Sequence, residues 1–328
     1  MQTESSSAVI ASPEKTTAAD AVNLAYILSA NFSGSTLLAM LLGSQAEAVT
    51  IGEMRAPAIG DAEAYMCSCG EPIKKCQFWV KVNAGMARKG IQDFDITEPR
   101  ISIHDTKNKY VARLLNALPR GPLLEAVRAV GLSLSPAWPA HLREVHHRNR
   151  ALVEVLREVT DARIVIDSSK ISLHLKYLLR CPDLKIKVIR LVRDGRAVTT
   201  SSLGHGLKRA SRRESVAAAA FSWFRNNEAS ERILADLPAT QWIYLQYEEL
   251  CRQPEATLRR IGDFLGMDTR QIILDFRAKQ QHVLGNEMRL KSGSEIRLDE
   301  RWRTALSQDD LAVFEEVAGA MNRKYGYA

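Results

Sequence analysis

Residues that could bind an anion are concentrated first in the segment Ser33 to Thr36 (S-G-S-T), which follows a short apolar run and precedes a helical pattern. Backbone N–H groups that enter a helix from such a turn point the same way, and the helix dipole adds partial positive charge. Gly34 lets an anion approach the backbone closely. The segment therefore predicts a phosphate or sulfate site, although an ordinary βα turn explains four such residues equally well.

A carboxylate follows the second apolar run of the chain. Residues 48–51 are typical of a strand, and Glu53 follows this strand after one residue, Gly52. In parallel α/β sheets, ligands collect beyond the carboxyl ends of the strands, so Glu53 would lie beside the anion loop. Glu53 could act as a general base for an acceptor hydroxyl, or it could form an ion pair with Arg55 or another cation.

Cationic residues follow the next two predicted strands. Lys170 closes the segment D-S-S-K after residues 163–167, and Arg193 follows residues 185–192 (KIKVIRLV). Ser201 lies two helical turns beyond Arg193. A guanidinium can hold a phosphate through two hydrogen bonds, and a serine hydroxyl can add a further donor. Taken alone, Lys170 could instead be a surface lysine after a helix cap, and Arg193 with Asp194 a structural ion pair.

Five strand-like segments near residues 24, 49, 163, 186 and 241 alternate with helical segments. This alternation predicts an α/β fold with a mostly parallel five-stranded sheet and helices on both faces. Ser33 or Ser35 is expected to cap the first helix, which Gly43 would end. The S-G-S-T turn, Glu53, Lys170 and Arg193 would then lie on one edge of the sheet.

The 328 residues carry a net charge of +7, with 46% hydrophobic and 25% charged residues. The charge favours anionic ligands, but no interleaving of aromatic and basic residues indicates a nucleic-acid surface. No signal peptide and no apolar run of membrane-spanning length is present, which predicts a cytoplasmic enzyme. We expect a disordered tail over residues 1–20 and a single domain over 21–328, with a helical insertion at about 81–145 that shapes the acceptor pocket.

Three cysteines cluster in the pattern C-x-C-G-x5-C, at Cys67, Cys69 and Cys76. Three thiolates can bind zinc, but no fourth ligand stands at a zinc-finger spacing, so we assign no metal ligands from the sequence. Free or buried thiols, a structural metal and a disulfide all remain open, and the odd total of five cysteines argues against a disulfide scaffold.

The S-G-S-T-L-L segment resembles the 5′-phosphosulfate loop of sulfotransferases that use 3′-phosphoadenosine 5′-phosphosulfate (PAPS), usually P-[KR]-S-G-[TS]-T. Phe32 stands where those enzymes carry Lys or Arg. The R-D-G-R-A-V-x-x-S segment from Arg193 to Ser201 is similar to their 3′-phosphate site. Gly52 and Glu53 match the first two positions of the G-E-E segment of tyrosylprotein-type sulfotransferases, and Met54 replaces the third.

The resemblance implies a P-loop-type three-layer sandwich and transfer of the sulfuryl group of PAPS to a hydroxyl or amine of a small-molecule, carbohydrate or lipid acceptor. No metal and no nucleic-acid or membrane partner is implied. Glu53 would be the base, and Lys170 would supply the positive charge that Phe32 lacks. The implied PAPS-binding residues are Ser33, Gly34, Ser35, Thr36, Leu37, Arg193, Ser201 and Arg289.

Two other functions stay open. One is a different P-loop transferase, such as a kinase that uses ATP, although the loop lacks the G-K-[ST] ending of a Walker A motif. The other is a degenerate, non-catalytic member of the family that binds a nucleotide or a protein partner. The acceptor and the oligomeric state do not follow from the sequence.

Overall fold

The computed structural model of the chain describes residues 23–55, 59, 61–116, 122–290 and 293–327. The predicted disordered tail over residues 1–20 lies outside these ranges. Within them, no helix combines the length and apolar character that crossing a bilayer requires.

The core of the fold is a five-stranded sheet with the order β2-β3-β1-β4-β5. The strands are β1 (Leu24–Leu28), β2 (Ala48–Thr50), β3 (Ile164–Asp167), β4 (Ile186–Val192) and β5 (Trp242–Gln246). Every neighbouring pair is parallel. The five predicted strands are therefore confirmed, and the sheet is wholly parallel because each connection between strands passes through at least one helix.

The helices surround this sheet and follow the strands in the alternating order that the sequence predicts. They are α1 (Ser35–Gly43), α2 (Gln77–Arg88), α3 (Lys109–Asn116), α4 (Pro122–Ser133), α5 (Ala137–Thr160), α6 (Ser172–Leu178), α7 (Gly195–Gly204), α8 (Arg212–Ala235), α9 (Tyr247–Arg252), α10 (Pro254–Leu265), α11 (Trp302–Ala305), α12 (Gln308–Phe314) and α13 (Ala320–Lys324). Short 3₁₀ segments lie at Ala239–Gln241 and Glu287–Leu290, and a π-helical turn at Glu315–Gly319 joins α12 to α13.

Strand β1 is central because its LAYIL sequence is apolar on both faces. All five residues are buried, as expected for a strand covered on both sides. Tyr26 packs in the cluster that contains residues of α2 and α5, whereas Ile27 packs in the cluster that contains residues of α1 and α10. Alternate side chains of one strand thus contact helices on opposite faces, which confirms the predicted layers of helices on both sides of the sheet.

The carboxyl ends of the strands form one edge of the sheet. The predicted site residues follow these strand ends, and their positions along the edge are given by the order of the strands. Glu53 follows β2, Lys170 follows β3, the Ser33–Thr36 turn follows β1, and Arg193 follows β4. Neighbouring strands lie about 4.8 Å apart, so β2 and β4 are separated by roughly 14 Å. The order of the strands therefore brings segments more than 100 positions apart in the chain onto one short edge.

Helices α2 to α5 and their loops occupy the region in which a helical insertion is predicted. Helix α5 packs on the sheet through Leu152 and Val155, while Val111, Leu132 and Trp138 belong to a separate small cluster that includes Tyr177 of α6. The division of the chain into one domain with this insertion remains a prediction.

Candidate active site

The turn between β1 and α1 has the backbone of an anion-binding loop. Gly34 is the residue that precedes α1, and its φ of +87° lies in the left-handed region. A Cβ at this position would overlap the ring of Tyr247, so glycine is required both for conformation and for space. The predicted serine cap is wrong: neither Ser33 nor Ser35 caps the helix, because Gly34 occupies the cap position. The first amides of α1 consequently lack a side-chain acceptor and are available to an anion.

Two serine hydroxyls are buried in this loop without a hydrogen-bond partner among the residues that the structure describes. They are Ser29 Oγ and Ser33 Oγ. A buried hydroxyl that is left unpaired typically costs about 1–3 kcal/mol of stability. A bound anion would satisfy such groups, so the loop fits a phosphate or sulfate group. Ser35 and Leu37 are also buried, in the first turns of α1, and Thr36 is partly exposed between them.

Phe32 adopts a left-handed conformation, with φ of +62°. The carbonyl oxygen accepts a hydrogen bond from Arg193 Nη1 at 2.8 Å. The phenyl ring packs against His205, with 4.6 Å between ring centroids, and lines a cavity of about 460 Å³ beside α7 and α8. At this position of the loop, Phe32 thus places its carbonyl oxygen against the Arg193 guanidinium.

Glu53 and Lys170 form an ion pair across the ends of β2 and β3. Lys170 Nζ donates to Glu53 Oε1, and their side chains are 11% and 20% exposed, respectively. Lys170 also has a positive φ, of +66°, so its backbone turns sharply after the strand. Two groups predicted separately, a base and a cation, are therefore in direct contact and largely shielded from water.

Asp167 holds the backbones of these two strand ends together. Its Oδ1 accepts hydrogen bonds from Ser169 N at 2.8 Å, from Ser169 Oγ at 2.5 Å and from Met54 N at 3.2 Å. Burial raises the pKa of Asp167 to about 6, and the nearby Glu53 carboxylate adds to the rise. Asp167 therefore positions the residues that flank Glu53 and Lys170.

Arg193 follows β4 and so lies on the side of the anion loop that is away from Glu53 and Lys170. Its guanidinium donates to Phe32 O and, through Nη2, to both the carbonyl and the carboxylate of Asp299 at 3.0 Å. The guanidinium also stacks over the Tyr247 ring, with 4.5 Å between Cζ and the ring centroid. The side chain is only 6% exposed, and its Nε has no hydrogen-bond partner in the described ranges. One donor of this buried cation thus remains available.

Ser201 is buried in α7, the helix that starts directly after Arg193 and Asp194. Asp194 caps that helix by accepting a hydrogen bond from Arg196 N at 2.9 Å. Trp223 Nε1 donates to Arg193 O at 3.2 Å, which fixes the start of the helix against α8. The R-D-G-R segment thus contains the start of α7, with Asp194 as its cap.

Arg289 occupies a different part of the edge from Arg193. It is buried, donates to Met66 O at 2.9 Å and to Gly285 O at 3.2 Å, and stacks over Tyr65. Gly285 in turn lies against Glu53: a Cβ on it would be 3.5 Å from Glu53 Oε1. The described contacts of Arg289 are thus at the β2 side, and its role toward a nucleotide stays a prediction.

Two residues that contact Arg193 at this edge, Tyr247 and Asp299, were not predicted from the sequence. No motif in the sequence singles out Tyr247, although it directly follows β5 and so stands at the ligand edge by the same rule that selected Arg193. Asp299 lies in an irregular segment 106 positions from Arg193, and no local pattern pairs it with that residue.

The chain belongs to the Sulfotransferase family, whose profile it matches over residues 25–271. The matched region contains the anion loop, Glu53, Lys170, Arg193 and Ser201. It ends before Arg289. None of the curated proteins matches this sequence.

Solved structures share the fold at low sequence identity. The sulfotransferase domain from the curacin biosynthetic pathway is 15% identical, with a TM-score of 0.51 and coverage of 94% of this chain and 98% of that one. The sulfotransferase domain from the Synechococcus PCC 7002 olefin synthase is 20% identical, with a TM-score of 0.50 and coverage of 90% and 95%. These similarities confirm the P-loop-type α/β fold.

Proposed function

We propose that this protein transfers the sulfuryl group of PAPS to a hydroxyl or amine of a small-molecule, carbohydrate or lipid acceptor and releases adenosine 3′,5′-bisphosphate. The observation that carries the proposal is the direct contact between the anion loop and Arg193, made at 2.8 Å from Arg193 Nη1 to Phe32 O. A single nucleotide with an anionic group at each end could therefore contact both. Membership of the family supports sulfuryl transfer as the type of reaction.

The donor-binding roles divide along the sheet edge. The loop amides from Ser33 to Leu37 and the buried Ser33 hydroxyl suit the phosphosulfate end. Arg193, directly after β4, and Ser201 of α7 suit the phosphate on the ribose. We propose that Arg289 also contacts this nucleotide. Its guanidinium is positioned by the hydrogen bond to Gly285 O, in the segment that lies against Glu53.

Glu53 is the proposed general base and Lys170 the proposed electrostatic group. The acceptor oxygen or nitrogen forms a bond to sulfur while the bond from sulfur to the phosphate oxygen breaks, and the acceptor proton passes to a Glu53 carboxylate oxygen. The leaving phosphate oxygen keeps the electron pair. Loop amides and Lys170 stabilise the negative charge that develops on the sulfuryl and bridging oxygens.

The Glu53–Lys170 ion pair gives this step a physical rationale. One ammonium group can contact either the Glu53 carboxylate or an incoming anionic oxygen, and both contacts are strengthened by the low exposure of the pair. As Glu53 accepts a proton it loses its negative charge and its hold on Lys170 weakens. Lys170 is then free to donate to the leaving group at the stage when charge builds up there.

The principal alternative is an ATP-dependent kinase of the same fold class. The loop has no lysine in the Walker position, and the two residues that follow Gly34 are Ser35 and Thr36. A degenerate nucleotide-binding protein is the other alternative, with Phe32 as the altered residue. We further propose that the enzyme acts in the cytoplasm, without a nucleic-acid or membrane partner.

Ligand-induced thermal shifts would separate these functions. Adenosine 3′,5′-bisphosphate should raise the melting temperature in a concentration-dependent manner, whereas ATP with Mg²⁺ should not. Incubation with ³⁵S-labelled PAPS and an acceptor library, read out by mass, should then yield a product heavier by one sulfuryl group. Stabilisation by ATP alone would favour the kinase, and nucleotide binding without transfer to any acceptor would favour the degenerate protein.

A further inference from the structure

The three clustered cysteines meet a histidine from a distant part of the chain. His282 Nδ1 lies 3.5 Å from Cys67 Sγ and 3.3 Å from Cys76 Sγ, and Cys69 Sγ lies 3.6 Å from Cys76 Sγ. The four potential ligand atoms all lie within 4.8 Å of one another. The fold thus provides the fourth group that the C-x-C-G-x5-C pattern lacked.

These separations match a tetrahedral zinc site. With Zn–S bonds of about 2.3 Å and a Zn–N bond of about 2.0–2.1 Å, tetrahedral angles place two sulfurs ~3.8 Å apart and a sulfur and a nitrogen ~3.5 Å apart. The observed 3.6 Å between Cys69 and Cys76 is far longer than the S–S bond of about 2.05 Å in a disulfide. All five cysteines of the chain are free thiols.

The backbone around Cys67 and Cys69 forms a tight turn that brings their two sulfur atoms close together. Gly70, with a φ of +92°, donates its N–H to Cys67 O at 3.0 Å. Cys67 N donates to Glu71 O at 2.8 Å, so the turn is closed from both ends. Cys76 stands directly before α2. Each thiol is thereby fixed by local backbone structure.

The histidine is fixed by separate contacts. Its ring stacks on Phe78 of α2, with 4.3 Å between centroids and an interplanar angle of 4°. Ser68 Oγ donates to Gln281 O at 2.5 Å and accepts from Val283 N at 2.7 Å, so the residues on both sides of His282 are tied to the cysteine turn. Such outer contacts orient metal ligands in known sites.

We propose that Cys67, Cys69, Cys76 and His282 bind a structural Zn²⁺ ion. Four protein ligands close the coordination sphere, which is typical of structural rather than catalytic zinc. The ion takes no part in sulfuryl transfer, and this inference does not rest on the proposed function. Binding replaces the thiol protons of the three cysteines by bonds to the metal and releases those protons to solvent.

The metal would fasten the segment after His282 to the end of β2. Leu284 N donates to Ile51 O at 2.8 Å, and Gly285 N donates to Tyr65 Oη at 3.1 Å. Gly285 is the residue that lies against Glu53. Loss of zinc is therefore expected to loosen the surroundings of Glu53 while leaving the anion loop and Arg193 in place.

The test is metal analysis of the full chain purified without chelators and under reducing conditions. We expect about one zinc per chain by inductively coupled plasma mass spectrometry. His282→Ala and Cys69→Ala should lose the metal, His282→Cys should retain it, and the control Cys251→Ala should match the parent. Replacement of zinc by Co²⁺ should give the sulfur-to-cobalt charge-transfer and tetrahedral d–d absorption bands of a thiolate-rich site.

Two results would overturn the proposal. One is a reduced, folded parent protein that takes up neither Zn²⁺ nor Co²⁺ on reconstitution. The other is a disulfide between Cys69 and Cys76, detected as a mass decrease of two hydrogens in the native chain. If the ligand variants fail to fold, the metal content and cobalt spectrum of the parent decide the question. Binding of adenosine 3′,5′-bisphosphate, measured separately, would test the proposed function independently of this site.

Discussion

The guanidinium of Arg193 donates through Nη2 to the Asp299 carboxylate at 3.0 Å, so a carboxylate from the C-terminal segment contacts the cation proposed to bind phosphate. Asp299 is also held by Arg301, which donates to Oδ1 at 2.8 Å and to Oδ2 at 2.9 Å. Hydrogen bonds from Arg301 and Arg193 keep the pKa of Asp299 well below its usual range. Asp299 is therefore charged at neutral pH, and an incoming phosphate must displace it or bind next to it.

Asp299→Asn should strengthen binding of adenosine 3′,5′-bisphosphate several-fold. The substitution removes a negative charge that competes with the ligand phosphate for Arg193 and repels it. Isothermal titration calorimetry at fixed ionic strength would measure the change. Weaker binding by the variant would contradict this prediction and would assign Asp299 to holding Arg193 in the productive orientation. Asp275→Asn, at an aspartate of a separate segment, is the matched control.

Arg193→Ala should weaken binding of the same nucleotide by about 1.5–3 kcal/mol, the usual contribution of a hydrogen bond to a charged group. The measurement is again titration calorimetry, with circular dichroism to establish that the variant is folded. Arg213→Ala is the matched control, because Arg213 is an exposed arginine paired with Glu316 on the surface. Equal affinities for the variant and the parent would remove Arg193 from the nucleotide site.

Glu53→Gln should lower kcat by about 10²–10⁴-fold, the range expected for loss of a general base. The amide keeps the shape of the carboxylate but cannot accept the acceptor proton, so affinity for adenosine 3′,5′-bisphosphate should change little. Steady-state kinetics with labelled PAPS would measure kcat. Glu63→Gln is the control, because Glu63 forms an exposed ion pair with Lys74. Unchanged turnover in Glu53→Gln would exclude Glu53 as the base.

Lys170→Met should lower kcat by about 10²–10³-fold, comparable to the loss of one donor that stabilises transition-state charge. The variant also leaves Glu53 without its partner, so stability should be measured alongside activity by thermal unfolding. Lys74→Met, which breaks the exposed pair with Glu63, is the control for loss of a lysine charge. A variant that is folded and fully active would show that Lys170 serves only as a partner of Glu53.

Asp167→Asn should change the pH dependence of stability. The folded protein holds the Asp167 proton more tightly than the unfolded chain does, because burial raises the pKa to about 6. This residue therefore stabilises the fold below its unfolded pKa, and the contribution is lost as pH rises toward and beyond 6. The unfolding free energy of the parent minus that of the variant should fall by about 2 kcal/mol between pH 4 and pH 7.

Urea unfolding of both proteins across this pH range would measure the difference. The asparagine keeps an oxygen for the three hydrogen bonds to Ser169 and Met54. Asp236→Asn, at the end of α8, is a control for the loss of one carboxylate. A difference that is flat with pH would show that Asp167 titrates normally in the folded state.

The sequence by itself determined the parallel sheet and suggested the residues of the proposed donor site. The apolar run of β1, the S-G-S-T turn and the eight-residue spacing from Arg193 to Ser201 can be identified in the sequence, because strand burial, turn chemistry and helical spacing act over a few neighbouring residues. The local rules failed at the helix cap, which is Gly34 because its backbone is left-handed and the ring of Tyr247 leaves no space for a Cβ.

Only the tertiary structure decided which distant residues meet. The contacts of Lys170 with Glu53, of Asp299 with Arg193 and of His282 with Cys76 join positions 117, 106 and 206 residues apart, respectively. Such pairs depend on the order of strands in the sheet and on the path of the C-terminal segment across its edge. Neither leaves a periodic signal in the sequence, because one contact between two loops imposes no repeating pattern on either of them.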